Sequence, residues 1–514
     1  MASWTDGYVA EIGYTHGFYR ELAPAMLAFA ALAAGDQSAR IKSPLSYCEL
    51  GCGQGFTANL LASANPDAEF YAIDFNPAQI VGARQLASDA ELSNVHFYDL
   101  SFAEIGTDAS LPQSFDIIAL HGIYSWISAE NRRHIVEFIR RRLKPGGQVY
   151  ISYNTLPGWA SVMPLRRLMA DHAARNSGPV LKRIDRALDF TQTLQAAGAA
   201  YFSQNPILAS RLEKLKDMQR RYLAHEYFNA DWTPFYFKDV AGELAEAKLS
   251  FLCSGHLLDQ INAANLTADQ QTLLASIDDL VTQQGMRDYI VNQQFRRDVF
   301  VKGALALSER DLRTLWLQQR FVLSTQRQDI PLKAAGALGE ADLQAEVYEP
   351  VLDTLKSSPV SVEEMINTKG VANLDWSRLT QAIAVLVGTG HLQPCLAEAH
   401  TAAAASHTEA FNKAVLAKAS SSADLQYLAS PVTGGGIAVD LISQLFLAAM
   451  ARNAEDPVQH AWEVLSGQGQ SLIKDGQVLQ GMDANVAELR VRLEGFQSKR
   501  LPVLKQLGAV PGNR

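Results

Sequence analysis

The sequence predicts an α/β fold in which a doubly wound, mostly parallel sheet near the N-terminus is followed by largely helical and winged-helix-like α+β modules. Three observations carry this expectation. From Leu45 to Asn154, short apolar runs alternate with amphipathic stretches, the period switching between that of a strand and that of a helix. A glycine-rich turn, ELGCGQG at Glu49 to Gly55, joins the first apolar run to the first helical stretch. Beyond Asn154 alanine-rich helical patterns dominate, and 514 residues exceed one ordinary domain, so three or four are expected.

In chain order, the run Leu45 to Leu50 reads as a first strand and ANLLASA as the helix after it. FYAID is a second strand ending at Asp74, followed by the helical PAQIVGARQLASDAEL. VHFYDLSFAEI reads as a third strand and loop, FDIIALHGIYSWI as a fourth, and GQVYISYN as a fifth. Strand and helix alternating in this way imply a parallel sheet covered on both faces. The helix NRRHIVEFIRRRL is expected to stop at Lys144, Pro145, Gly146 and Gly147. Its Arg140, Arg141 and Arg142 resemble a nucleic-acid patch, but cations in a last helical turn complement the helix dipole, and that reading is preferred.

The glycine turn carries chemistry. Gly51, Gly53 and Gly55 let the chain turn sharply from strand to helix and let a ligand approach main-chain N–H groups. Asp74, at the end of the second strand, is placed to accept hydrogen bonds from both hydroxyls of a ribose. A dinucleotide fingerprint needs GxGxxG, and Phe56 stands where its third glycine would be. No Walker lysine follows, which argues against a phosphate-cradling loop. GxGxG with an acid two residues before the first glycine instead suits S-adenosylmethionine.

ELGCGQG, the acid in YAIDFNP, and LKPGG before a strand resemble the class I S-adenosylmethionine-dependent methyltransferases, in the order that family uses. YTHGFYREL, LHGIYSWIS, SYNTLPGW and HEYFNADWTPFYF are similar to bacterial methyltransferases with a methyltransferase regulatory domain. That group contains the protein-lysine methyltransferases that modify rickettsial outer membrane protein B. The resemblance implies a Rossmann-like domain whose Glu49, Gly51 and Gly53 line the methionine moiety, with Asp74 on the ribose and Phe75 against the adenine. Where many members have an acid for the adenine amino group, this chain has Ser101, with Asp99 the competing choice, and Phe102 is expected to offer a backbone N–H. Tyr14 and His16 would fold over the cofactor. His121, Tyr124 and Trp126 after the fourth strand, and Tyr153 and Asn154 after the fifth, fall where the acceptor binds; His121, Tyr124 and Tyr153 are the catalytic candidates, and His121 also borders the cofactor. His121 reads equally well as a histidine satisfied at a strand end, and Trp126 as packing. The Asn or Asp, Pro, Pro, aromatic signature of amino-methyltransferases is absent, so nitrogen as the acceptor rests on the resemblance.

The remaining chain divides, on this reading, into 1–160 for cofactor binding and 161–223 as a helical insert that contributes dimer contacts or covers the acceptor. A regulatory-type domain at 224–305, a winged-helix-like domain at 306–400 and a mostly helical 401–514 follow. His225 and Glu226 lack the second histidine of a zinc helix, and Cys48, Cys52, Cys253 and Cys395 have no CxxC spacing, so no metal is expected. The aromatic cluster from Tyr227 to Phe237 reads as a buried seam between domains, with a peptide-docking surface as the sharper alternative. Arg296 and Arg297, flanked by Asp288 and Asp298, are explained by internal ion pairing. Between Pro331 and His400 nine acids face four bases, and the net charge is −9, so the winged-helix-like part suits protein rather than nucleic acid. Apolar stretches are broken by charge before membrane-spanning length, and no targeting peptide is evident, so a cytoplasmic protein with reduced thiols is expected. The leading expectation is methylation of protein lysine side chains. A small-molecule N- or O-methyltransferase and a non-catalytic cofactor-binding scaffold are the alternatives.

Overall fold

The fold is that of a computed structural model and is described for residues 16–41 and 43–511. Five strands arise where the apolar runs predict them: β1 (Leu45–Leu50), β2 (Ala68–Asp74), β3 (Val95–Asp99), β4 (Phe115–Leu120) and β5 (Leu143–Asn154). They lie parallel, with β1 flanked by β2 and β4, so the strand order reverses beside β1 and opens a crevice at the carboxyl ends of the strands. Helix α1 (Pro24–Ala33) precedes the sheet, and α2 (Phe56–Ala64), α3 (Pro77–Asp89) and α4 (Ala129–Arg142) connect its strands. Each connecting helix starts on a local signal. Gly55 caps α2 in the left-handed region, Asn76 accepts from Ala78 N ahead of Pro77 on α3, and Ser128 accepts from Asn131 N on α4.

The end of α4 differs from expectation. The helix stops at Arg142, and LKPGG forms the first residues of β5, with Leu143 opposite Phe115. Pro145 cannot continue a helix, and the strand partner takes the residues instead. The arginine run also divides: Arg140 and Arg141 pair with Glu137, while buried Arg142 donates to the carbonyls of Leu111, Pro112 and Asp108.

Two further strands from the middle of the chain complete the sheet. β6 (Leu249–Ser254) and β7 (Phe295–Lys302) give the order β3-β2-β1-β4-β5-β7-β6, with β7 antiparallel to both neighbours. Residues on either side of the expected boundary at 160 therefore share one sheet. Between β5 and α10 (Phe237–Ala245) the chain leaves the sheet as α5 (Met163–Arg175), α6 (Val180–Ala196), α7 (Ala200–Ser203), α8 (Ile207–Asp217) and α9 (Arg220–Tyr227). These helices close around their own apolar cluster, including Leu165, Ile184, Leu188, Leu212 and Tyr227.

After β7, helices at 345–354, 362–366 and 376–388 pack with a three-stranded antiparallel sheet whose central strand is Arg320–Leu323. That strand precedes the three helices, and the helix Glu398–Lys418 begins where a terminal wing would stand. The same helix packs on α2, and a single apolar core runs from Phe18 and Phe56 to Phe411, Leu428 and Val503. The hairpin after it carries the PVTGGG turn against α2: Asn65 Nδ2 donates to Gly434 O, and a Cβ on Gly436 would stand 2.8 Å from Leu60. Among the described residues, no helix is long and apolar enough to cross a membrane.

Candidate functional site

A cavity of about 450 Å³ opens at the carboxyl ends of β1, β2, β4 and β5, a size that suits a small-molecule site. Its floor is the glycine turn. Gly51, Gly53 and Gly55 all have positive φ, at 71°, 53° and 64°. A Cβ on Gly51 would stand 2.3 Å from Ile123 Cδ1, and one on Gly55 would stand 2.5 Å from Ala83 Cβ, whereas Gly53 meets nothing closer than Gln79 Oε1 at 3.8 Å. Gly51 and Gly55 are thus required by packing as well as by backbone conformation, and glycine at 53 by backbone conformation alone.

Asp74 braces this turn. Gly53 N–H donates to Oδ2 and Asn76 N–H to Oδ1, both at 2.9 Å, and each oxygen retains further acceptor capacity. Burial pushes the Asp74 carboxyl up to about 6, against the pull of those N–H groups. Glu49 lies deeper, 6 % exposed, and its Oε2 is buried without a hydrogen-bond partner. Burial, with the nearby Asp74 charge adding to it, pushes this carboxyl up to about 8. A buried carboxylate in that state calls for a cation or a donor.

The loop after β3 forms another wall, with Leu100, Ser101 and Phe102 beside Phe75 from the end of β2. The Ser101 hydroxyl and main-chain N–H both donate to Glu104, at 2.7 and 2.8 Å, which leaves the hydroxyl oxygen as an acceptor. Asp99, the competing residue, is exposed. His16 borders the cavity with its ring edge toward Phe56, and Tyr14 lies outside the described residues.

His121 also borders the cavity. Tyr19 stacks on its ring, with centroids 3.6 Å apart, and Nδ1 lies 3.0 Å from the Tyr150 hydroxyl. Burial pushes His121 down to about 4, so the imidazole is neutral at physiological pH. The two tyrosine candidates lie elsewhere. Tyr124 is fully buried in the second apolar core and its hydroxyl donates to Glu243, which also faces Arg132. Tyr153 is buried on the opposite side of β5, where its hydroxyl donates to Asp298 at 2.6 Å. Neither borders the cavity, because strand alternation turns Asn154 toward it and Tyr153 away, and the turn after β4 folds Tyr124 under the sheet.

The far wall was not assembled by sequence reasoning. Trp159 follows β5, and Tyr222, Glu226 and Asp231 come from α9 and the segment after it. Phe295 comes from the start of β7. The density of aromatic and acidic residues in YLAHEYFNADW was the available signal, and part of that cluster is the expected buried seam. Trp232 packs against Trp126 and Trp159, with the Arg166 guanidinium 4.8 Å from its ring centre.

Family models match two parts of the chain: a methyltransferase domain over residues 41–198, and one described as a predicted methyltransferase regulatory domain over residues 219–302. An uncharacterized protein of Synechocystis sp. is 46% identical over 506 residues, which are 98% of this chain and 99% of that protein. O-methyltransferase 3 of Dictyostelium discoideum is 32% identical over 109 residues, 21% of this chain and 25% of its own length. In fold, the chain is similar to PKMT2 from Rickettsia typhi in complex with AdoHcy, with a TM-score of 0.67 and 18% identity over 94% of this chain and 98% of that one. S-adenosylmethionine is the cofactor these findings indicate, and the unpaired Glu49 oxygen and the acceptor capacity left on Asp74 fit it. The chain belongs to the class I S-adenosylmethionine-dependent methyltransferases that carry a methyltransferase regulatory domain.

Proposed function

We propose that this methyltransferase acts on the side-chain amine of lysine residues in a protein. The observation that carries the reading is the far wall of the cavity, where Trp126, Trp159, Tyr222 and Phe295 stand among the carboxyl groups of Glu226 and Asp231. Aromatic faces and carboxylates together suit an alkyl chain that ends in a cation. The fold likeness to PKMT2 over 94% of the chain supports the same class of acceptor.

Bound, S-adenosylmethionine would supply an electrophilic methyl group, whose C–S bond breaks as the C–N bond to an aligned amine forms and the thioether leaves. Glu49 Oε2 is assigned to the methionine ammonium, because it is a buried carboxyl oxygen that lacks a partner. Asp74 is assigned to the ribose hydroxyls through the acceptor capacity left after Gly53 and Asn76. Phe75 would lie against the adenine and Phe102 would offer a backbone N–H to its edge, with Ser101 Oγ accepting from its amino group. His16 would close over it.

On the acceptor side, the aromatic wall removes water from the incoming amine, which pulls its pKa down from the free value of about 10.4, while Glu226 and Asp231 pull it up and are assigned to take the proton. His121, held down near 4, is a poor proton acceptor. It is assigned a positioning role, its ring clamped between Tyr19 and the Tyr150 hydroxyl so that it borders the cavity. The test is incubation of the enzyme with methyl-labelled S-adenosylmethionine and cell lysate, separation of macromolecules from metabolites, and hydrolysis of the protein fraction. Label in methylated lysine is expected; label confined to small molecules would refute the assignment.

A further inference from the structure

A second cavity, of about 640 Å³, lies in the regulatory-type region between β6, the helix Leu280–Val291 and the turn at Ala335 to Ala337. Its wall mixes amides and charged groups with apolar side chains such as Phe251, Leu274 and Val291. The amide nitrogens of Gln260, Gln271 and Gln283 donate to the main-chain carbonyls of Ser254, Leu266 and Leu274. The carbonyl oxygen of each of these amides is left as an acceptor.

The cations in the wall are already engaged. Arg296 donates to Asp298, to Asp288 Oδ1 at 2.6 Å and to Gln284, and Arg287 donates to Asn262 and to the carbonyl of Asp259. Asp288 is only 2 % exposed, and its second oxygen, Oδ2, is buried with no hydrogen-bond partner. Desolvation pushes this carboxyl up to about 7 although Arg296 pulls it down, the behaviour of an acid whose pairing is incomplete. A buried carboxyl oxygen that lacks a partner, with glutamine carbonyls in the same wall, is a site for a ligand that brings donors of its own.

We propose that this cavity binds a small organic amine in its ammonium form, with Asp288 Oδ2 and the glutamine carbonyls as its acceptors. The site is distinct from the cofactor cavity but lies beside it: Phe295 borders one and Arg296, the next residue on β7, borders the other. His256, in the wall of the second cavity, also faces Glu21, which pairs with Arg297 on β7. The proposal is independent of which acceptor the enzyme methylates.

Putrescine is the probe, and calorimetric titration into the full-length protein is the measurement. Saturable binding is expected at submillimolar concentration, about tenfold or more weaker in Asp288→Asn, as for loss of a hydrogen bond to a charged group. Ala335→Trp, on the exposed rim, fills the cavity mouth without touching the ion pairs and is expected to abolish binding. Both variants are checked for an intact fold by their binding of S-adenosylhomocysteine. Binding in the wild type is expected to persist when the first cavity is saturated with S-adenosylhomocysteine and when its acceptor wall carries Glu226→Gln. Absence of saturable binding at millimolar putrescine overturns the proposal. So does binding that survives Ala335→Trp, or that disappears with either change to the first cavity.

Discussion

Glu49 makes cofactor affinity a function of pH with a slope that can be worked out beforehand. Without ligand its carboxyl is pushed up to about 8 by burial and by Asp74, so at neutral pH the protein holds a proton there. An ammonium at Oε2 requires the carboxylate, and binding therefore expels that proton. Below pH 8 each unit should cost about tenfold in affinity, or ~1.4 kcal/mol, so that pH 6 lies about 100-fold below the plateau. Near pH 6 Asp74, itself pushed up to about 6, begins to add a second proton and the slope steepens toward two. Calorimetric titration of S-adenosylhomocysteine from pH 5 to 8.5 reads the profile directly, and buffers of different ionisation heat count the protons released. Glu49→Gln should flatten the line between pH 6 and 8 while leaving affinity weaker at the upper end. A flat wild-type profile, or the same slope in Glu49→Gln, would refute the assignment.

Three further outcomes are expected. Asp74→Ala removes the ribose acceptor and releases the N–H groups of Gly53 and Asn76, which should weaken cofactor binding by about 1–3 kcal/mol; an unchanged dissociation constant would overturn the ribose assignment. Gly55→Ala incurs both a left-handed backbone and a Cβ 2.5 Å from Ala83, for a loss of about 2–5 kcal/mol in urea unfolding, whereas Gly53→Ala incurs only the backbone cost of about 1–2 kcal/mol. Equal losses would mean that the packing around Gly55 is not what selects glycine. Tyr124→Phe should lower stability by about 1–2 kcal/mol by stripping Glu243 of its donor, yet leave the methyl-transfer rate within about twofold, and a rate collapse would return Tyr124 to the acceptor site.

The sheet from β1 to β5 and its glycine turn were legible because their signals are local. A left-handed glycine, a strand-end acid and alternating apolar periods each act within a few residues. The seven-strand order was less so, since β7 owes its place between β5 and β6 to pairing across a long insertion. Direction was the hardest quantity to read. Tyr153 and Asn154 are neighbours on one strand, and only the identity of β7 decides that the tyrosine meets Asp298 while the asparagine borders the cavity. Arg296 and Arg297 divide likewise: Arg296 makes the local pairs with Asp288 and Asp298 that the sequence suggests, but Arg297 reaches back to Glu21. Tyr222, Glu226 and Asp231 were visible as an unusual cluster, but their arrival opposite β1 depends on how five inserted helices fold back.

The interleaved sheet has a consequence for how the protein is made. Asp74 leaves the ribosome long before β7, the partner that β5 needs, has been translated through Lys302. At about 5–20 residues per second that interval is on the order of 10–50 s. During it the nascent sheet ends in β5, a long edge whose last eight residues are buried in the finished fold and which is of the kind that pairs with other chains. Phe56, beside the glycine turn, waits longer still for Phe411 and Tyr427, which pack against it from the far end of the chain. The cofactor pocket of this enzyme, whose walls run from His16 to Phe295, is therefore lined only once the chain has been made past that point, and its Phe56 is backed later still.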